Sequence, residues 1–503
     1  MDNNSYWLEI KNAINKRKIS SKIITTDVLI IGGGISGITT AYNLMKNGIN
    51  CTIAEKDTIG SKATGHTTGK ITNVISDLYL KIFKSKDLKS TKLYYEALSE
   101  GMVILKNIID IENIDCDFEK VTSYIYAQTN EGVKTLQKIS NLNKHMNINF
   151  KTLTKVPLNI EVKKALSYDN QYQFHSIKYI NGLVNIIKDK VKVLENISIF
   201  SIDKKNNKYE CSASNLKIVC NKIVMCTKYP LNYKVNNYFS KLYQEKSYAI
   251  RFKSNKKING QYINVDNKIR SFRHLVNENM NILVGDTISK ENIDKETEFN
   301  QLKEDLFKFD KNALITHTWF SEDVFPIDYI PLIGKYNSND EIYLISGFSK
   351  WGLSTSQIAA KVISDILLNK KNKYINLFNP RRSMHLNNPL NSFKFTKKAI
   401  NGLLIARFLI KKVNLKDIKI NTGSHIKFDN KTYLAYRKSN QEFIFLKPNC
   451  PHMLCSVKWN NLNKTWDCMC HGSIFRKNGK VIYGPSTKDL ENVTTYIKTK
   501  YLL

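Results

Sequence analysis

The hydrophobic pattern near the start of the chain changes period twice within thirty residues. Val28-Leu29-Ile30-Ile31, led in by Thr26-Asp27, is continuously apolar over strand length and breaks into Gly32-Gly33-Gly34, which predicts a strand buried on both faces. Ile38, Ala41, Leu44 and Met45 then recur at helical spacing up to Gly48, which predicts a helix closed by a glycine. Cys51-Thr52-Ile53-Ala54 restores the strand pattern, so the segment reads as a βαβ unit and the chain begins as an α/β fold. A different pattern governs the far end. After Pro380-Arg381-Arg382 a polar stretch runs to about Lys397, the apolar run Ala399 to Ile410 predicts a helix, and short alternating strands follow. The expected organisation is an N-terminal domain over 1–390, a linker with a helix over 391–414 and a small all-β domain over 415–503.

Length and composition narrow the class. A chain of 503 residues has room for at least two cores, and 42% hydrophobic with 24% charged residues is an ordinary globular balance. No window holds the ~18 consecutive apolar residues that a membrane span needs, and the best stretch, Leu403 to Ile410, contains Arg407. The net charge of +33 suggests nucleic acid at first sight, but it comes from sixty-eight evenly spread lysines and only nine arginines. Proteins that read phosphates and base edges concentrate Arg, so nucleic-acid binding is not expected, and the charge suits an acidic protein partner. Val28 to Ile31 follows Asp27 and runs into glycines rather than a cleavage site, so it is not a signal peptide and a cytoplasmic location is expected. In that compartment the nine cysteines read as ligands, redox groups or core residues, not as a disulfide framework.

The first candidate site is the turn Gly32-Gly33-Gly34-Ile35-Ser36-Gly37, a G-x-G-x-x-G set between strand and helix. Gly32 permits the tight turn, Gly34 lets backbone N–H groups approach a pyrophosphate, and Gly37 lets the helix pack closely; Gly33 and Ser36 belong to the same cradle. The helix N-terminus adds positive partial charge. Glu55 ends the second strand where an acid accepts hydrogen bonds from ribose hydroxyls, with Lys56 beside it. FAD and NAD both fit this unit. The Gly/Thr-rich stretch Ile59 to Thr72 follows, and its Thr67, Thr68 and Lys70 could line a cofactor's phosphates and ring.

The second site lies in the C-terminal domain. Cys450-Pro451-His452 and Cys468-Met469-Cys470-His471 form C-x-H-x15-C-x-x-H. Each half supplies one thiolate and one imidazole, the set needed by a [2Fe–2S] cluster with Cys450 and Cys468 on one iron and His452 and His471 on the other. Zinc is the rival, but zinc sites typically pair their ligands as C-x2–4-C, and these intervals disfavour it.

The glycine unit and the Ile59–Thr72 loop resemble the FAD-binding start of the D-amino-acid oxidase superfamily, the glycine oxidase, sarcosine oxidase and amine dehydrogenase group. Lys222 to Thr227 resembles that family's return strand, with Cys226-Thr227 where Ala-Thr or Ala-Gly is usual. Phe325 to Gly334 resembles the segment before its last strand, Ile342 to Ser346 the strand itself, and Gly347-Phe348-Ser349-Lys350-Trp351-Gly352-Leu353 the loop against the flavin. The resemblance implies FAD, contacted by Thr227, Gly334, Gly347, Gly352 and Leu353, in an α/β Rossmann-type domain. Its cofactor segments would be about 25–75, 195–230 and 325–370, with an α+β substrate cap between them. Lys350 and Trp351 are candidate catalytic residues. Relatives hold a substrate carboxylate with Arg, which leaves Arg251, Arg270 and Arg273, of which Arg273 is preferred; His175 reads as a structural histidine.

The C-terminal strings resemble Rieske domains, where the positions of Cys455 and Cys470 imply a disulfide joining the two cluster loops. Ser473 would donate a hydrogen bond to a bridging sulfide and raise the potential. Phe475 stands where high-potential relatives have Tyr, which implies a potential below the top of the Rieske span. Met453-Leu454 replaces the common Leu-Gly, and Gly484-Pro485 resembles the closing loop. The fusion is itself similar to a bacterial family whose start Ser5-Tyr6-Trp7-Leu8 resembles. The expected function is dehydrogenation of an amine or amino acid at FAD, with electrons passing singly through the cluster to an external protein or quinone. The alternative is a redox relay or sensor whose flavin a partner reduces and which oxidises no small substrate.

Overall fold

A computed structural model describes residues 5–10, 22–213, 215–231, 238, 241–276, 279–286, 295–384, 412–452, 454–461, 464–468, 473–483, 486 and 488–501. It divides into two units, one of Met1–Lys228 with Glu245–Asn387, the other of Tyr229–Gln244 with Asn388–Leu503. The predicted linker helix over Ala399 to Ile410 lies outside the described residues.

In the first unit a mostly parallel sheet runs in the order Leu332–Lys335, Ile342–Ser346, Leu216–Met225, Ile23–Ile31, Cys51–Ala54, Lys192–Leu194. The first strand is longer than the apolar run predicted. Its opening residues alternate exposed and buried and only its last four are buried throughout, so a search for continuous apolar character finds only the second half. It lies parallel between Cys51–Ala54 and Leu216–Met225, which place Ala54 and Met225 level with Ile31. The helix Ile35–Lys46 follows the glycine turn, and Gly48 behind it takes φ +73, the left-handed state that a helix end favours. Helices Leu88–Ile111, Ser176–Ile187 and Gly352–Leu367 share its apolar core with Val28, Ile30, Ile53 and Ile345.

A second sheet forms the cap, in the order Leu314–Pro326, Leu242–Lys253, Met280–Asp286, Arg270–His274, Gln261–Asn264, Glu119–Ala127, Lys164–Gln173, Lys70–Ile71. One face, with Tyr126, Tyr248, Tyr262 and Phe272, packs on Phe299, Leu302 and Leu306 of the helix Lys295–Phe309. Ala249 and Ile282 of the same strands belong to another cluster, with Trp7 and Trp319. This alternation is the two-residue period of strands buried on both faces.

The C-terminal unit contains two small antiparallel sheets. Thr422–Phe428, Lys431–Arg437 and Phe443–Leu446 make one; Val457–Asn460, Thr465–Cys468, Ile474–Arg476 and Val481–Tyr483 make the other. No helix among the described residues is long and apolar enough to cross a membrane.

Candidate flavin and iron–sulfur sites

At the end of the first strand Gly32 takes φ +112, and a Cβ there would lie 2.7 Å from the carbonyl oxygen of Cys226. A Cβ on Gly37 would lie 1.9 Å from the carbonyl oxygen of Gly32, so helix and turn touch only because both are glycine. Gly34 precedes the helix without a side-chain cap. The Ile35 N–H donates to Thr64 Oγ1 at 3.0 Å, which pins the Ile59–Thr72 segment over the turn. Glu55 is buried; it accepts from the N–H of Gly33 at 2.7 Å and from that of Asp57 at 2.9 Å. Burial raises its pKa, and those two N–H groups act against the shift. Both oxygens keep a further lone pair for ribose hydroxyls. Ser36 is buried in the first turn, and the Lys56 ammonium stands 3.9 Å from the Asp57 carboxylate.

The Ile59–Thr72 segment bridges two helix starts. At one end the Gly60 N–H donates to the Gly33 carbonyl at 3.0 Å. At the other, the Thr72 N–H donates to Ser354 Oγ and that hydroxyl donates to the Thr72 carbonyl, both at 3.0 Å, at the start of the helix Gly352–Leu367. In between, three successive carbonyls are held: Thr67 by Trp7 Nε1 at 2.8 Å, Thr68 by Arg273 Nη1 at 2.9 Å, and Gly69 by the Phe174 N–H at 3.0 Å. Lys70 Nζ donates to the Tyr262 carbonyl at 3.1 Å and to the Ser271 hydroxyl. Burial, reinforced by the charge of Arg273, brings its pKa down to about 7.

The second helix start has the same character. The strand Ile342–Ser346 ends in Gly347 at φ +78, and Ser349 and Lys350 follow at φ +51 and +74, a left-handed pair that side chains rarely adopt. Trp351 leads into Gly352–Leu367 without a side-chain cap, and Ser349 Oγ is buried with no hydrogen-bond partner among the described residues. A buried polar atom of that kind calls for a group to satisfy it. Trp351 packs half-buried against the domain core, and Leu353 is part of it. Gly352 abuts the Phe348 ring, Gly334 takes φ +137 beside Pro380, and Thr227 directly follows the Cys226 that Gly32 touches. Lys350 Nζ stands 3.3 Å from Glu245 Oε2. A glycine cradle, an acid at the ribose position, two uncapped helix starts and an orphaned hydroxyl fit FAD.

The three cap arginines differ in their surroundings. Arg270 pairs with Asp305 at 2.7 Å, and Arg251 lies 4.1 Å above the Tyr6 ring. Arg273 is buried, donates from Nε to the His274 carbonyl at 2.8 Å and from Nη1 to Thr68, and makes no ion pair among the described residues. Burial pulls its pKa down to about 9. His175 starts the helix Ser176–Ile187, accepting from the Lys178 N–H at 3.2 Å, with its ring edge-on to Trp7. Sequence reasoning missed Thr64, and it missed Glu195, which accepts from the Ile59 N–H at 2.7 Å; apart from the threonine-rich loop, no local signal marks either.

In the C-terminal unit Cys450 and Cys468 are buried and not disulfide-bonded, in one core with Cys455, Val457, Trp466 and Phe475. The Cys450 N–H donates to the Cys455 carbonyl and the Leu454 N–H to the Cys450 carbonyl, both at 2.8 Å, closing the first loop with Leu454 at φ +57. Cys468 ends the strand Thr465–Cys468, its N–H donating to the Ser473 carbonyl at 2.7 Å. His452 is half-buried, and burial lowers its pKa to about 4, which keeps the imidazole in the neutral form that binds metal. Ser473 Oγ accepts from the Ser486 N–H at 2.9 Å, leaving its own proton for a sulfide. Two buried thiols and a neutral imidazole suit the cluster. His471, Met453, Cys470, Gly484 and Pro485 lie outside the described residues; Cys455 is not one of the free thiols.

Fold and sites together define a flavoprotein oxidoreductase with an iron–sulfur domain. A family model described as FAD dependent oxidoreductase, DAO, matches residues 27–366, and one described as Rieske [2Fe-2S] domain matches residues 410–496. The chain belongs to the DAO family of FAD-dependent oxidoreductases and carries a Rieske domain, so its cofactors are FAD and a [2Fe–2S] cluster. It is 29% identical over 474 residues, 93% of each chain, to the putative Rieske 2Fe-2S iron-sulfur protein YhfW of Bacillus subtilis. Over 134 residues it is 27% identical to gamma-glutamylputrescine oxidoreductase of Escherichia coli, covering 27% of this chain and 31% of that one. Glycine oxidase from Bacillus cereus shares its fold, with a TM-score of 0.59 at 17% identity over 72% of this chain and 100% of that one.

Proposed function

We propose that this chain dehydrogenates an amine or amino acid at FAD and passes the electrons singly through its Rieske cluster to an external protein or quinone. The observation that carries the reading is the presence, on one chain, of an FAD oxidoreductase domain and a [2Fe–2S] domain. When bound, FAD supplies the acceptor for two electrons taken together and the cluster a carrier of one at a time. The chain itself binds and orients. Gly32 to Gly37 and Glu55 hold the nucleotide end, while peptides 67–69 and the loop Gly347–Gly352, with Lys350 and Trp351, border the ring end. Lys70, on the same loop, donates from Nζ to the Tyr262 carbonyl and the Ser271 hydroxyl of the cap sheet. The names of the E. coli relative and of the glycine oxidase support an amine or amino-acid substrate. The same reading pairs Cys455 with Cys470 beside the cluster and places the chain in the cytoplasm.

The test is anaerobic bleaching of the flavin by a panel of amines and amino acids, followed by EPR of the cluster. Bleaching by a small amine with appearance of the reduced-cluster signal is the expected result. Bleaching only by protein or nicotinamide donors would replace this reading with a redox relay. Alkylation and mass spectrometry of folded holo-protein that found Cys455 and Cys470 both free would remove the disulfide.

A further inference from the structure

We propose that the N-terminal turn Tyr6–Glu9 is a clamp on the flavin loop, and that Trp7 and Arg273 are positioning residues that set the peptides of Thr67, Thr68 and Gly69 toward FAD. The inference does not depend on which substrate is used. Three successive carbonyls are each held by a donor from a different part of the chain: the N-terminal turn, the cap strand Arg270–His274 and Phe174, directly after the strand Lys164–Gln173. Successive peptides of an extended strand point their carbonyls to opposite sides. Here Gly69, at φ +71, reorients the chain, and all three oxygens are engaged by the protein.

The clamp is built into the interior. Trp7 is 0% exposed, and its indole lies 5.7 Å from the Arg273 guanidinium and edge-on to His175. A Cβ on Gly69 would lie 2.5 Å from Arg273 Nη1, 2.5 Å from the Phe174 carbonyl and 2.9 Å from the Trp7 ring, so the loop is enclosed on three sides. Its two ends are fixed at the starts of the helices Ile35–Lys46 and Gly352–Leu367, the places where the nucleotide and ring ends of FAD would sit. A loop held at both ends and by all three central carbonyls presents its remaining groups in one arrangement. FAD that meets this arrangement and the turn that creates it must stabilise each other, because coupling between two binding events is reciprocal.

The test compares apo- and holo-protein of the full chain. Hydrogen–deuterium exchange of the peptide covering Ser5–Ile10 should slow several-fold when FAD is added, while a peptide at the cap edge strand Lys151–Leu153 should not change. Trp7→Phe, which keeps one aromatic ring in place of the indole and removes its N–H, should raise the FAD dissociation constant by about five-fold, the loss of one buried hydrogen bond. Arg273→Met should do the same, with the melting temperature of each apo-variant moving less than that of its holo-form. Exchange at Ser5–Ile10 that ignores FAD overturns the proposal. So do variants that lower apo and holo stability equally and leave FAD affinity unchanged, because a purely structural role would behave in that way.

Discussion

Asp328 and Arg382 form a two-point ion pair, Nε to Oδ2 and Nη2 to Oδ1, each 2.8 Å, between positions 54 residues apart. Asp328 is almost fully buried, and Arg382 also donates to the carbonyls of Pro331 and Ile330. The pair therefore ties the end of the flavin domain to the turn before its last strands. Burial alone would raise the Asp328 pKa, but the charge and hydrogen bonds of Arg382 outweigh it and hold the carboxyl below its ordinary value. Asp328→Ala strands a buried guanidinium and should cost the first unit about 3–5 kcal/mol in chemical denaturation. The pair's contribution is present above the ordinary carboxylate pKa of about 3.9 and is lost as pH falls through the lower folded value. A variant as stable as the parent would contradict this account.

His175 titrates in the opposite direction from a paired histidine. Burial lowers its pKa to about 4; Asp117 acts against the shift, and Lys178 and Arg273 add to it. An unfolded histidine has a pKa of about 6.5, so between those values the unfolded chain takes up the proton first. Stability should therefore decline as pH drops from about 6.5 to about 4, by up to ~3 kcal/mol from this residue. His175→Asn keeps an acceptor at the helix start. Its denaturation profile across that window should be flatter than the parent's, and an unchanged slope would assign the effect to other groups.

Lys70 offers a direct chemical readout. Its two acceptors, the Tyr262 carbonyl and the Ser271 hydroxyl, can be satisfied by the two N–H bonds of a neutral amine, and no carboxylate lies within ion-pair distance of it among the described residues. Competitive acetylation read by mass spectrometry should give Lys70 a midpoint near 7, against about 10.4 for exposed lysines. Because the folded value is the lower one, this residue's contribution to stability should grow as pH rises from about 7 to about 10.4. A midpoint shared with the surface lysines would mean that the amine stays protonated.

In the iron–sulfur domain, Ser473→Ala removes a buried hydroxyl whose oxygen accepts from the Ser486 N–H, and with it the hydrogen bond proposed to a bridging sulfide. Loss of one hydrogen bond of about 1 kcal/mol corresponds to roughly 40 mV for a one-electron couple, so the midpoint potential should fall by that amount. Phe475→Tyr should move it the other way. Redox titration of the EPR signal checks both; a potential indifferent to Ser473 would show that its hydroxyl points elsewhere.

The parts legible in sequence were those fixed by neighbours along the chain. Gly32, Gly34, Gly37 and Glu55 lie within one βαβ unit, whose geometry follows from local pattern, and the Cys and His spacing of the cluster loops is equally local. The contacts of Trp7 with Thr67 and of Arg273 with Thr68 span 60 and 205 residues, and only the closed tertiary structure brings them together. Scarcity of arginine singled out Arg273, and no local pattern marks the bonds its Nε and Nη1 donate to the carbonyls of His274 and Thr68. Ile23 to Thr25 escaped notice because Ile23 and Thr25 face solvent and only Ile24 is buried.

Gly69 gives the molecule a history as well as a shape. A side chain there would collide at once with a backbone carbonyl, a guanidinium and an indole drawn from three distant stretches of sequence. No single compensating replacement relieves all three, so ordinary stepwise drift has no passable route through this position. The turn at the start of the chain, the cap strand and the flavin loop thereby meet at one residue that has to stay glycine, and homologues are expected to keep glycine there even where Trp7 is replaced.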